Sequence, residues 1–144
     1  MSDELPPGMT ALDDEECWRL LASADVGRIA IVVDGRPEIF PVNFVVDGRT
    51  VVFRTAEGTK LAAIAIASRV ALEIDGFEED SGHAWSVVLK GLAWRLERFE
   101  DIYAAQKLPV YPWHDAPKPH YVRVGHATVC GRRFLARRGV RELD

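Results

Sequence analysis

The residues with the clearest capacity for chemistry run Thr50-Val51-Val52-Phe53-Arg54-Thr55-Ala56-Glu57-Gly58-Thr59-Lys60-Leu61. A β-branched run ends there in a polar loop that opens directly into good helix formers, an arrangement that suits an anion. Amides at a helix start lack intrahelical partners and the dipole there is positive, so Gly58 and Thr59 offer donors while Arg54 and Lys60 add charge. The hydroxyls of Thr55 and Thr59 can donate to the same phosphate. The plain alternative is that Arg54 and Lys60 are solvated surface cations and Gly58 relieves a turn.

A second candidate is Glu38-Ile39-Phe40-Pro41-Val42-Asn43-Phe44-Val45, where a proline and an asparagine interrupt an apolar strand. Both are costly in a central strand and call for compensation. If the backbone of Pro41, Val42 and Asn43 faces a flat heteroaromatic ring, its amides and carbonyls and the Asn43 amide can bond the ring's polar edge. The alternative is an edge strand with Asn43 bonding a nearby turn. Trp113 sits among prolines, where a large ring must find a pocket or a partner. Trp94, Phe99 and Tyr103 read as core and subunit-contact residues. His83, His114, His120 and His126 lack the close spacing of zinc ligands, so no metal is expected. His120 and His126 can share one strand face. The four carboxylates of Asp75 to Asp80 lack the order of a calcium loop and read as a solvated hairpin connection. No serine or cysteine nucleophile motif is present, and no catalytic residue is assigned.

The elements that must position these residues are mostly strands. Asp13 can cap a helix through Ser23, with Cys17, Leu20 and Leu21 on one buried face. Arg28 to Val33, Glu38 to Val46 and Thr50 to Thr55 then form an antiparallel meander, its turns made by Asp34-Gly35 and Asp47-Gly48. A short helix is expected over Gly58 to Ser68. Strands follow over Arg69 to Asp75 and Ala84 to Leu96, with a break over Gly76 to Gly82 and a bulge or bend at Gly91. Phe99 to Lys107 can form a second helix, Leu108 to Pro119 carries four prolines, and Tyr121 to Ala136 is the last strand. The organisation is a mobile tail over 1–12, one domain over 13–136 and a charged tail over 137–144. Six or so strands with short helices indicate a mainly β fold, a closed or partly closed antiparallel barrel, with a sandwich as the alternative.

The 144 residues, 48% hydrophobic, suffice for one core. A net charge of −4 gives no basic field for nucleic acid or an anionic membrane, so a small-molecule ligand is expected. No apolar run approaches the roughly 20 residues of a membrane span. The acidic, proline-broken start lacks the regions of a secretory signal, and a cytoplasmic location is expected. Cys17 and Cys130 read as reduced, buried, small apolar residues.

The combination of Gly27-Arg28-Ile29-Ala30, Gly35-Arg36-Pro37, Pro41-Val42-Asn43-Phe44, Phe53-Arg54-Thr55 and Gly58-Thr59-Lys60-Leu61 closely resembles the pyridoxamine 5′-phosphate oxidase-like, FMN-binding split-barrel family. The likeness continues through Trp85-Ser86-Val87-Val88 and Gly91 to Pro112-Trp113 and Gly131-Arg132-Arg133. It implies a six-stranded antiparallel split β-barrel, a flavoprotein working as a homodimer with FMN at the subunit interface, and oxidoreductase chemistry on a small molecule. By that resemblance Arg54, Thr55, Thr59 and Lys60, flanked by Phe53 and Leu61, match the phosphate site. Pro41, Val42 and Asn43 match the strand against the isoalloxazine ring, and Trp85, Ser86 and Trp113 approach the flavin. The chain lacks a match to the C-terminal substrate segment of pyridoxamine 5′-phosphate oxidase, so vitamin B6 oxidation is not expected. Similar proteins include nitroimidazole reductases and enzymes using a deazaflavin cofactor. A non-catalytic flavin carrier or sensor is the alternative function.

Overall fold

The Asp13 carboxylate accepts a hydrogen bond from the Glu16 amide at 2.8 Å and so starts helix α1 (Asp14–Ser23), which buries Cys17, Trp18, Leu20 and Leu21. The computed structural model describes residues 5–56, 68–110 and 120–136. Within them lie strands β1 (Met9–Leu12), β2 (Val26–Val33), β3 (Arg36–Asp47), β4 (Thr50–Thr55), β5 (Ser68–Glu78), β6 (His83–Arg95) and β7 (His120–Leu135), with helix α2 over Phe99–Gln106.

All pairings are antiparallel. Six strands close the ring in the order β7-β4-β3-β2-β5-β6, and β6 returns to β7; β1 adds to the far half of β7. The expected six-stranded barrel is therefore present, with β1 as a seventh strand. The residues read as a mobile tail through residue 12 are corrected over their last four, because Met9–Leu12 pairs with Gly131–Phe134.

Turn chemistry fixes the meander. Asp34 and Gly35 both adopt positive φ (52° and 73°), and Gly48 does so at 62°, the values that two-residue hairpins require. Inward residues of the strands build the main core, among them Ile29, Phe44, Phe53, Leu72, Leu89 and Val124. Val52 and Tyr121 alternate with inward neighbours and face outward, where Leu96, Ala105 and Val110 cover them.

The bulge lies where Gly91 foretold, and its extra residue is in β7. Leu92 pairs with Gly125 and Lys90 with Thr128, so β6 advances by two residues while β7 advances by three. Gly91 is required here, since a Cβ on it would lie 2.6 Å from the Gly125 carbonyl. His126 takes the extra place with φ of 48°. The insertion swaps the faces of β7, so His120 and His126 do not share one as expected: His120 is half-buried and His126 exposed.

Other expectations change as well. Strand β5 continues to Glu78, since every residue from Asp75 to Glu78 finds a partner on β6, so the Gly76 to Gly82 break shortens to the turn after Glu78. Cys17 is buried but Cys130 is exposed, because it sits on an outward position of β7. Trp94, Phe99 and Tyr103 are 36%, 80% and 53% exposed and are not core residues. The helix expected over Gly58 to Ser68 lies outside the described residues, save Ser68, which opens β5.

Candidate functional site

Strand β4 ends beside the start of β7, with Arg54 opposite Tyr121 and Thr55 opposite His120. Strand alternation turns Arg54 outward, and its guanidinium lies 5.2 Å from the centre of the Tyr121 ring. That stacking orients the cation. Thr55 points inward and is 2% exposed. Thr59, Lys60, Leu61 and Trp113 lie outside the described residues.

On β3 the candidates divide by face. Val42 and, on β4, Phe53 are buried core residues, so only their backbones can meet a ligand. Pro41 is exposed beside Arg28 of β2. Asn43 donates through Nδ2 to the Asp25 carbonyl at 3.3 Å, the turn contact weighed as the alternative. Its Oδ1, however, is shielded and accepts from no donor among the described residues. Such an orphan acceptor costs about 1–3 kcal/mol unless a further group meets it.

Trp85 and Ser86 stand on β6, both half-buried. Ser86 borders a depression of about 390 Å³ lined by Val88, Lys90, Thr128, Cys130 and Arg132. Strand order places β6 three strands from β3, roughly 14 Å at the ordinary strand spacing. A single chain thus does not bring Ser86 to Asn43. Another depression, about 630 Å³, lies on the outward face of β2, β5 and β6, bordered by Ala30, Val32, Arg69, Leu92 and His126. It includes none of the expected site residues.

Sequence reasoning missed one polar pair at the β4 end. Arg95 Nη2 donates to His120 Nδ1 at 2.6 Å. Arginine only donates, so the ring nitrogen is the acceptor in this contact. Nothing in the spacing of these residues announces the contact, which exists because closure pairs Arg95 with Val122. On β5, Glu73 and Asp75 share Arg28, each at 3.2 Å. Burial, and then the hydrogen bond and charge of Asp75, push the Glu73 carboxyl above its usual range against the pull of Arg28. Among the described residues no three histidine, cysteine or acidic side chains gather as metal ligands. No described helix is long and apolar enough to cross a membrane.

The sequence matches the pyridoxamine 5′-phosphate oxidase family over residues 13–133. A solved FAD binding protein of Mycobacterium smegmatis is 43% identical, covering 87% of this chain and 98% of its own, with a TM-score of 0.75. A Corynebacterium glutamicum protein that carries the name pyridoxamine 5′-phosphate oxidase provisionally is 34% identical over 89% of this chain and 99% of its own, with a TM-score of 0.80. An uncharacterized protein of Mycobacterium tuberculosis is 36% identical over 87% of this chain and 85% of its own length. With the match spanning nearly every described element, this chain belongs to the pyridoxamine 5′-phosphate oxidase family.

Proposed function

We propose that this chain is a flavin-dependent oxidoreductase acting on a small molecule, working as a homodimer with its flavin at the subunit interface. The observation that carries the reading is Asn43 Oδ1, a shielded acceptor without a donor among the described residues, on the strand where the polar edge of a ring was expected. The polar edge of an isoalloxazine carries an N–H that such an acceptor suits. Arg54 fits the phosphate role, being outward, half-buried and held over Tyr121. From the resemblance, Thr59 and Lys60 complete that role, while the inward Thr55 offers only its backbone, and the backbone of Pro41 and Val42 lies along the ring.

A bound flavin supplies the hydride and electron chemistry. The chain's own residues bind and orient: Arg54 and Lys60 offset the phosphate charge, and Asn43 fixes the ring edge and tunes its potential. FMN is the favoured form. FAD is a second reading, supported by the Mycobacterium smegmatis relative that is named for it at 43% identity; both carry the same phosphate on the ribityl arm.

The test is the absorbance spectrum of the purified protein, followed by mass identification of the released cofactor. Flavin bands with an FMN mass support the reading, an FAD mass moves it to the dinucleotide, and a deazaflavin band replaces the cofactor. Failure to take up FMN, FAD or deazaflavin on titration overturns it. Reduction by a nicotinamide cofactor followed by fast reoxidation with an acceptor separates an enzyme from a carrier.

A further inference from the structure

Arg28 of β2 and Pro41 of β3 are directly opposed partners, and both are exposed, so they share the outward face of the barrel. Asn43 lies two residues beyond Pro41 on that face. Diagonal neighbours of this kind stand roughly 7–8 Å apart, within reach of a long side chain. On its other flank Arg28 is opposed by Glu73 of β5, and its Nη1 donates to Glu73 Oε1 and Asp75 Oδ2, each at 3.2 Å. The Asp75 bond leans the guanidinium along the sheet toward Val26, the residue that pairs with Asn43.

Two carboxylates thus hold one nitrogen, while Nε and Nη2 have no acceptor among the described residues. The Arg28 side chain is 57% exposed, and ion pairs that open contribute only about 0–1 kcal/mol, so the cluster adds little to the fold. Its effect is to aim N–H donors. Asn43 beside them presents the opposite group: Oδ1 is a shielded acceptor with no donor among the described residues, and Nδ2 is turned to the Asp25 carbonyl. An acceptor with donors next to it complements a flat edge that reads C=O, N–H, C=O, the edge of a pyrimidinedione ring. The planar fork of arginine suits such a carbonyl.

We propose that Arg28 donates to the ring carbonyl next to the N–H that Asn43 Oδ1 accepts, and that Glu73 and Asp75 hold it in place for that contact. Resting on the flavin reading, this gives the ring edge a second anchor, supplied by β2. FMN, FAD and a deazaflavin share that edge, so Arg28 serves any of the three. Uptake of two electrons and one proton leaves a flavin ring with a negative charge spread over the pyrimidinedione. A guanidinium against that edge favours the reduced form, and the two acids behind it oppose it.

Flavin affinity and the reduction potential of the bound flavin, measured on the same variants, test the assignment. Arg28→Gln weakens FMN and riboflavin alike, by about tenfold, because the lost contact is to the ring that both carry. The ratio of the two affinities stays as in the wild type. The midpoint potential of bound FMN falls by about 30 mV, which is a tenfold change in a two-electron couple. Glu73→Gln leaves Arg28 an acceptor but removes a negative charge, and the potential moves the other way, upward. An ion pair that only supports the fold shifts neither potential. Unchanged affinity or unchanged potential in folded Arg28→Gln, or a loss confined to FMN, overturns the proposal. If Arg28→Gln does not fold by circular dichroism, Glu73→Gln decides, and a potential that stays or falls overturns it. A wild type that takes up neither FMN nor riboflavin removes the flavin reading and this assignment together; a wild type that binds both, with Arg28→Gln indistinguishable from it, removes the assignment alone.

Discussion

The indole of Trp85 lies directly against the backbone of Gly76, its partner across β5 and β6: a Cβ on Gly76 would sit 2.5 Å from the Trp85 Cζ2 atom. The glycine serves close approach here, since its φ is not positive. One side chain that the family resemblance places near the flavin is thus seated by the lack of another.

Gly76→Ala forces the indole to move and lowers stability by about 1–3 kcal/mol, the usual range for overpacking. In a Trp85→Ala background the same change is neutral or mildly stabilising, because alanine suits a strand better than glycine once the obstacle is gone. Urea denaturation of the four proteins of this cycle checks it, and equal losses in both backgrounds contradict the contact.

Arg123 ties the β3–β4 hairpin to β7, donating to Asp47 Oδ2 at 2.9 Å and to Thr50 Oγ1 at 2.6 Å. Its side chain is only 18% exposed, so it loses a partner that water replaces poorly. Asp47→Ala is expected to cost about 1 kcal/mol, discounted because Asp47 itself is partly exposed. The Glu16 to Arg19 pair on α1 is far more open, and Glu16→Ala leaves the denaturation midpoint nearly unchanged.

The raised Glu73 carboxyl makes a pH-dependent prediction. An acid whose folded pKa lies above its unfolded one binds more protons when folded, so stability rises as pH falls through the folded value toward the unfolded one. The penalty of charging Glu73 is present at neutral pH and absent below the ordinary glutamate range. Glu73→Gln accordingly raises Tm at pH 7, and the gain shrinks as the pH is lowered into that range. Thermal scans of the wild type and Glu73→Gln across this pH range check it; a gain that grows with acidity contradicts it.

Local chemistry was the legible part of this molecule. Asp13 was readable as a cap because an aspartate ahead of an acidic first turn satisfies free amides wherever it occurs. Asp34-Gly35 was readable because few residue pairs tolerate two positive φ values in succession. What escaped was set by closure. The short Met9–Leu12 strand has no periodicity of its own and is held by β7. Cys130 and His126 were misplaced because an extra residue in β7 reverses the faces, and Gly91 signalled the bulge without saying which strand carried it. Asn43 was legible as an anomaly, a polar residue in an apolar run, and the orphaned acceptor explains why it looked anomalous. The Arg95 and His120 contact joins two strands across the closing seam, where no short-range signal reaches.

The most direct measurement of the central claim is calorimetric titration with FMN and riboflavin side by side. If a phosphate is held at the end of β4, the wild-type protein binds FMN more tightly than riboflavin. Arg54→Ala/Lys60→Ala then erases most of that preference while riboflavin affinity changes little, since a charge-assisted contact is lost only where a phosphate exists. Equal weakening of both ligands, or no preference for FMN in the wild type, contradicts the account.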